Sequence, residues 1–168
     1  MPNDTSLTLT LATLEQTQTL GRSLGSLLRA GTVLLLEGDL GTGKTSLVQG
    51  LGAGLGIADL IVSPTFALIH EYHEGHLPLY HFDLYRLTPA EVNALHLETY
   101  WLGLEMPLGI AAIEWPDRLK PWPASHLHFQ LAYAAEGRIA TLTAVGTVPQ
   151  WQQITQNLAA EFVTQAKT

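Results

Sequence analysis

Cysteine is absent from the 168-residue sequence, which excludes a disulfide framework, a thiolate metal centre and a cysteine nucleophile. Positive charge is scarce. Eight Lys plus Arg stand against fifteen Asp plus Glu, for a formal net charge of -7, and the eight form no cluster. Strong contact with a nucleic-acid backbone needs a basic face, so no strong direct nucleic-acid binding is expected. No apolar stretch approaches the roughly 20 residues that span a bilayer; VLLLEG and LGIAAIEW stop well short. The N-terminal MPNDTSLTLT has neither the basic residues nor the apolar core of a leader peptide. The expectation is a cytoplasmic protein without membrane association. Internal repeats, low-complexity tracts and linkers are also missing, so residues 1–168 are read as one domain.

What is present is apolar periodicity. Leu7, Leu9 and Leu11 alternate with polar residues as in a strand, and Thr13 with Gln16 has the capping-box spacing of a helix that runs to about Arg29. Val33 to Leu36 is a continuous apolar run, expected of a strand buried on both faces. A helix follows from Thr45 to about Leu51, ended by Gly52, Gly54 and Gly56. Phe66 to Tyr72 and Leu77 to Leu84 read as strands joined at Gly75, and Thr88, Pro89 and Glu91 open another helix. Leu108 to Ile113 is a second buried strand. His126 to Tyr133 and Arg138 to Val145 form a hairpin with Glu136 and Gly137 at its turn. Trp151, Ile154, Leu158 and Phe162 mark one face of a closing helix.

Between the buried strand and the next helix lies GDLGTGKT, Gly38 to Thr45, which satisfies GxxxxGK[ST] in the strand-to-helix context of a P-loop. Gly38, Gly41 and Gly43 let the backbone curl so that successive N–H groups face phosphate oxygens. The helix adds its positive end, Lys44 a cation for the terminal phosphates, and Thr45 a hydroxyl for Mg²⁺. The candidate binding segment is therefore Gly38, Asp39, Leu40, Gly41, Thr42, Gly43, Lys44, Thr45 and Ser46, for the phosphates of a nucleotide and its Mg²⁺. The fold class that follows is α/β, a three-layer P-loop NTPase-like fold whose mixed, mostly parallel sheet carries helices on both faces.

A P-loop needs a second acid on the magnesium side and a group to order water. Glu114 ends the apolar LGIAAIE, and Asp83 lies within the alternating YHFDLYRL. Glu114 has the better strand context and Asp83 the more polar one; with Lys44 they are the catalytic candidates, and the sequence does not choose which acid orients the water.

GDLGTGKT, SPTFALIHEY (Ser63 to Tyr72), YHFDLYRL (Tyr80 to Leu87) and IEWPDRL (Ile113 to Leu119), in this order and spacing, resemble the TsaE family, formerly called YjeE. The resemblance covers essentially the whole length. It implies an ATPase that holds ATP on the P-loop residues and works with the TsaB and TsaD proteins to form the threonylcarbamoyladenosine modification of tRNA; because no arginine is placed as a cis finger, hydrolysis by the chain alone is expected to be slow and accelerated by a partner. It further implies that Thr45 and Glu114 ligate Mg²⁺ and that Asp83 lies near the metal. Ser63, Pro64 and Thr65 would be a switch facing the γ-phosphate, and Thr17 and Arg138 would contact the base and its surroundings. The chain departs from the family pattern at ALHLETY, where His96 stands in a segment that usually carries Gly, so the local turn there can differ.

Other residues compete for a role. His70, His73, His76 and His81 gather around the proposed hairpin, but residues three apart on a strand face opposite ways, and surface or partner-contact histidines are preferred to a zinc site. Arg86 reads as a partner contact or ion-pair cation, and Trp101, Trp115, Trp122 and Trp151 as packing or partner-surface residues. The alternatives to an ATPase are a small-molecule or nucleoside kinase, which lacks an arginine-rich lid here, and a nucleotide-dependent interaction switch, which an exposed apolar patch would favour. A GTPase is disfavoured because no [NT]KxD motif occurs.

Overall fold

A computed structural model describes residues 5–165. Residues 1–4, part of the segment read as lacking a leader, lie outside the described residues, as do 166–168.

The elements run β1 (Ser6–Leu11), α1 (Leu14–Leu27), β2 (Val33–Glu37), α2 (Lys44–Gly54), β3 (Ile69–Tyr72), β4 (Leu79–Asp83), α3 (Pro89–Ala94), α4 (Thr99–Leu102), β5 (Ile110–Glu114), β6 (His126–Tyr133), β7 (Arg138–Val145) and α5 (Trp151–Gln165). The seven strands form one sheet in the order β1-β7-β6-β2-β5-β4-β3. Its centre is parallel: β2 pairs with β5 and β6, and β4 with β5. Its margins, β3 on β4 and β1 and β6 on β7, are antiparallel. This is the mixed α/β sheet expected of the sequence.

The continuous apolar run of β2 is explained by burial on both faces. Leu34 and Leu36 point into one core with α1, α2 and α5 residues such as Leu24, Leu51 and Leu158. Val33 and Leu35 point into the other, with Phe82, Val92 and Ile113. Strand side chains alternate between faces, so one run serves two layers.

Both helix starts follow the capping chemistry of the sequence. The Thr13 hydroxyl accepts from the Gln16 N–H at 3.2 Å, and Thr88 and Glu91 form a reciprocal capping box.

Helix α2 departs from expectation by continuing through Gly52 to Gly54. Its glycines serve packing rather than termination. A Cβ at Gly50 would lie 2.0 Å from the Gln18 carbonyl oxygen, and one at Gly54 2.1 Å from that of Arg22; Gly21 and Gly25 on α1 face α2 as closely. Two small-residue rows thus let the helix backbones touch, and this contact outweighs the glycine penalty of roughly 1 kcal/mol per residue.

Other boundaries shift as well. Strand β3 starts at Ile69 rather than Phe66, because Leu68 takes a left-handed φ of 72° and its N–H closes a turn on Pro64 O at 2.7 Å. Helix α1 ends at Leu27, short of Arg29. The His96 backbone is left-handed (φ 50°), a conformation glycine takes without penalty, and the added helix α4 follows it.

Candidate active site

Strands β2, β5 and β4 end side by side, and the loops beyond their carboxyl ends build one pocket of about 230 Å³. Ligands in open α/β sheets bind at such ends. The first wall is the Gly38–Gly43 loop. Gly41 and Gly43 have φ of 80° and 107°, which L side chains rarely adopt, and they turn the chain sharply into α2. Gly43 caps α2 without any side-chain acceptor, so the first-turn N–H groups remain for an anion.

Lys44 opens α2 and is 5% exposed. Its Nζ donates to Gly38 O at 2.6 Å and Asp39 O at 3.0 Å and sits 4.5 Å from the centre of the Trp115 ring. Burial pushes its pKa down, while the negative charges of Glu114, Asp83 and Asp39 push it back up. Thr42 folds inward, its hydroxyl donating to Asp39 O at 2.8 Å; this binds the loop to itself.

The two candidate acids, Asp83 and Glu114, are partners in the β4–β5 register and both nearly buried, 6% and 4% exposed. Glu114 Oε1 accepts from Thr45 Oγ1 at 3.1 Å and lies 2.7 Å from His81 Nε2. Asp83 Oδ1 accepts from the Tyr85 N–H and Oδ2 from Thr65 Oγ1, each at 3.0 Å. Ser63 Oγ is 2.8 Å from Thr65 Oγ1, so the Ser63–Thr65 segment reaches Asp83 through hydroxyls, and Pro64 contributes the carbonyl of the turn before β3.

On the opposite rim, Arg138 lines the pocket and donates to Gly41 O at 3.4 Å. Thr17 is fully buried, its hydroxyl without a partner. Both lie against Gly43, where a Cβ would meet Thr17 Cγ2 and Arg138 Nε at 3.5 Å. Leu40 is 84% exposed at the mouth.

Three residues gain a place the sequence reading did not give them. Leu14 lines the pocket. Trp115 is a pocket wall rather than remote packing, held in a left-handed backbone (φ 59°) over Lys44; its position next to the strand-end acid was the available signal. His81 is fully buried and bonded to Glu114, not a surface histidine, because β4 lies inside the sheet. The other hairpin histidines stay apart: His73 pairs with Glu71 at 3.1 Å and His70 Nδ1 is 3.3 Å from Val62 O. Among the described residues no three His, Asp or Glu side chains are arranged to hold a metal by themselves. Arg86 stacks on the Phe66 ring at 4.3 Å.

A family model described as threonylcarbamoyl adenosine biosynthesis protein TsaE matches residues 11–140. The tRNA threonylcarbamoyladenosine biosynthesis protein TsaE of Nostoc sp. is 58% identical over 127 residues, 76% of this chain and 78% of its own length. The protein of the same name from Bacillus subtilis is 39% identical over 134 residues, 79% of this chain and 82% of its own. The crystal structure of Bacillus subtilis YdiB superimposes with a TM-score of 0.74 and 32% identity, covering 93% of this chain and 95% of that one.

Proposed function

The chain belongs to the TsaE family, and from that premise we propose that it is a Mg²⁺-dependent ATPase acting with the TsaB and TsaD proteins. Its role in tRNA threonylcarbamoyladenosine biosynthesis is that of the family; hydrolysis and partners are the finer reading. What supports them is one convergence: an uncapped helix start, a buried lysine, a threonine hydroxyl and two strand-end carboxylates share one pocket. We read residues 1–168 as a single nucleotide-binding domain built around it.

The residues present fit a magnesium ion. Thr45, Glu114 and Asp83 offer only oxygen, the hard donor Mg²⁺ prefers, and a nucleotide-borne Mg²⁺ needs just one or two carboxylates from the protein. In this reading Thr45 and Glu114 hold it and Asp83 completes that side. Bound there, Mg²⁺ would supply charge neutralisation between the terminal phosphates.

The chain does the remainder. The N–H groups from Gly41 to Ser46 cradle the phosphates, and Lys44, once released from the Gly38 and Asp39 carbonyls, turns to the terminal pair. Asp83, oriented by Tyr85 N–H and joined to Thr65, positions the attacking water and feels the switch. Thr17 and Arg138, beside Gly43, take the base end of the nucleotide. Of the arginines, Arg138 alone lines the pocket, on the Gly41 side, and among the described residues Lys44 is the one lysine that lines it beside the acids. Transition-state charge is therefore incompletely neutralised by the chain itself, so turnover alone is slow and partner docking accelerates it.

A second reading, the nucleotide-dependent interaction switch, is favoured by one observation. Phe66, next to the Thr65 that bonds Asp83, is 87% exposed, so a state change at the acids could alter what the apolar surface presents.

Phosphate release from Mg²⁺·ATP by the purified chain, alone and with TsaB and TsaD, tests the proposal, with Lys44→Ala as control. Low activity that rises with the partners and disappears in Lys44→Ala supports it. Activity unaltered by the partners rejects the partner-gated reading, and phosphate passed to a small acceptor identifies a kinase.

A further inference from the structure

His81 is the one buried histidine beside the acids, and it has no part in holding phosphate or ordering water. It is fully buried, on the face of β4 that also carries Asp83, and Ala112 is its neighbour in the β4–β5 register. Nε2 lies 2.7 Å from Glu114 Oε1. Oε1 already accepts from Thr45, and a carboxylate oxygen accepts without donating, so Nε2 carries the proton. The other ring nitrogen, Nδ1, is buried without a partner. An unpartnered buried acceptor is unfavourable, and a leucine would fill that space without the cost, so packing alone does not account for the imidazole.

The bond accounts for it. A glutamate side chain has three rotatable bonds, and fixing it costs conformational entropy. Two donors on Oε1, one from α2 and one from β4, remove that freedom, and among the described residues Glu114 Oε2 has no hydrogen-bond partner. We propose that His81 is a positioning residue: its Nε2–H locks the Glu114 carboxylate so that Oε1 stays tied to the protein and Oε2 is left for the divalent cation of the nucleotide. The inference rests on the reading of Glu114 as a metal-side acid. His81 touches neither nucleotide nor cation, and its effect passes through Glu114 as that of an outer-shell partner does.

The test uses the full chain loaded with ADP and titrated with Mn²⁺ by electron paramagnetic resonance, together with metal-free ADP binding and thermal melts. His81→Leu is expected to weaken Mn²⁺ binding about 10-fold while metal-free ADP affinity stays within about twofold, and His81→Gln, whose amide N–H can reach the same oxygen, recovers most of the loss. A folded His81→Leu with unaltered Mn²⁺ affinity overturns the proposal, and so does one whose metal-free ADP affinity falls equally. Glu114→Gln separates the layers. If it too leaves Mn²⁺ binding unaltered, the metal-side reading fails and takes this inference with it; if it alone weakens binding, only the role of His81 fails. Should His81→Leu not fold, ring-nitrogen NMR of the unmodified chain decides. An Nε2-protonated His81 whose N–H resonance moves on adding Mg²⁺·ADP supports the proposal, and an Nδ1-protonated or unmoved ring overturns it.

Discussion

Substituting Gly50 by alanine sets two principles against each other with opposite signs. Gly50 sits inside α2, where alanine is favoured over glycine by roughly 1 kcal/mol from helix propensity alone. The new Cβ, however, would lie 2.0 Å from the backbone oxygen of Gln18. Ordinary contact begins near 3.4 Å, so α1 and α2 must separate by about 1.4 Å along that line, the difference of the two distances. Neither backbone can rotate away as a side-chain tip would. Overpacking costs typically 1–3 kcal/mol, and a backbone-to-backbone clash belongs at the upper end. The net is a loss of about 2 kcal/mol, a fall in Tm of about 4–8 °C for a chain of this size. Urea and thermal unfolding followed by circular dichroism measure it. Gly52→Ala is the internal contrast: the nearest atoms to its Cβ would be the buried side chains of Ile61 (Cδ1 and Cγ1) and Leu79 (Cδ2), not backbone, so side-chain repacking can relieve it and its loss should be smaller than that of Gly50→Ala. Because α2 begins with Lys44, Gly50→Ala should also weaken nucleotide binding. A Gly50→Ala protein as stable as the parent, or more so, would refute the close-packing account of the glycine rows.

Stability should fall with acid through His126, which is nearly buried with Nδ1 2.7 Å from Pro123 O and Nε2 unpartnered. Burial first, with repulsion from His128, holds its pKa below the ordinary 6.5 against the opposing bond to Pro123. The unfolded chain then binds the proton more readily, so this contribution is complete above about pH 6.5 and is lost as pH falls below it. Urea unfolding at about pH 7.5 and about pH 5.5 should show a smaller loss in His126→Asn than in the parent; equal losses count against it. At His96, whose left-handed backbone costs a non-glycine residue about 1 kcal/mol, His96→Gly should be neutral or stabilising and His96→Val destabilising by about 1 kcal/mol or more. Paired melting curves check the order, and a valine variant as stable as the glycine one contradicts it.

The parts of the fold that were legible in advance are those fixed by local chemistry. The P-loop is a backbone conformation dictated by glycine spacing, and the capped starts of α1 and α3 are short-range hydrogen bonds. The β6–β7 hairpin likewise carries its own turn at Gly137 (φ 73°). What was not legible depends on neighbours distant in sequence. Of the Gly52, Gly54 and Gly56 run, Gly56 does stand just past the end of α2 with a left-handed backbone (φ 81°), whereas Gly52 and Gly54 stay inside the helix, and the place of Gly54 is explained only once α1 is known to lie against it. His81 looks like a member of a surface cluster until β4 is placed between β3 and β5. Trp115 looks like packing until Lys44, distant in sequence, is found beneath its ring. Nothing in the local sequence marks Thr17 and Arg138, which only the family resemblance singles out, and the structure brings both to Gly43.

The central claim is that ATP occupies the pocket formed by the Gly38–Thr45 loop and the two strand-end acids. Calorimetric titration of Mg²⁺·ATP into the unmodified chain and into Lys44→Ala tests it most directly. One ATP per chain is expected, with at least about a 10-fold loss of affinity in the variant, since a buried charge-assisted contact to phosphate is worth about 1.5–3 kcal/mol. Equal affinity in the two proteins would put the nucleotide elsewhere and contradict the account.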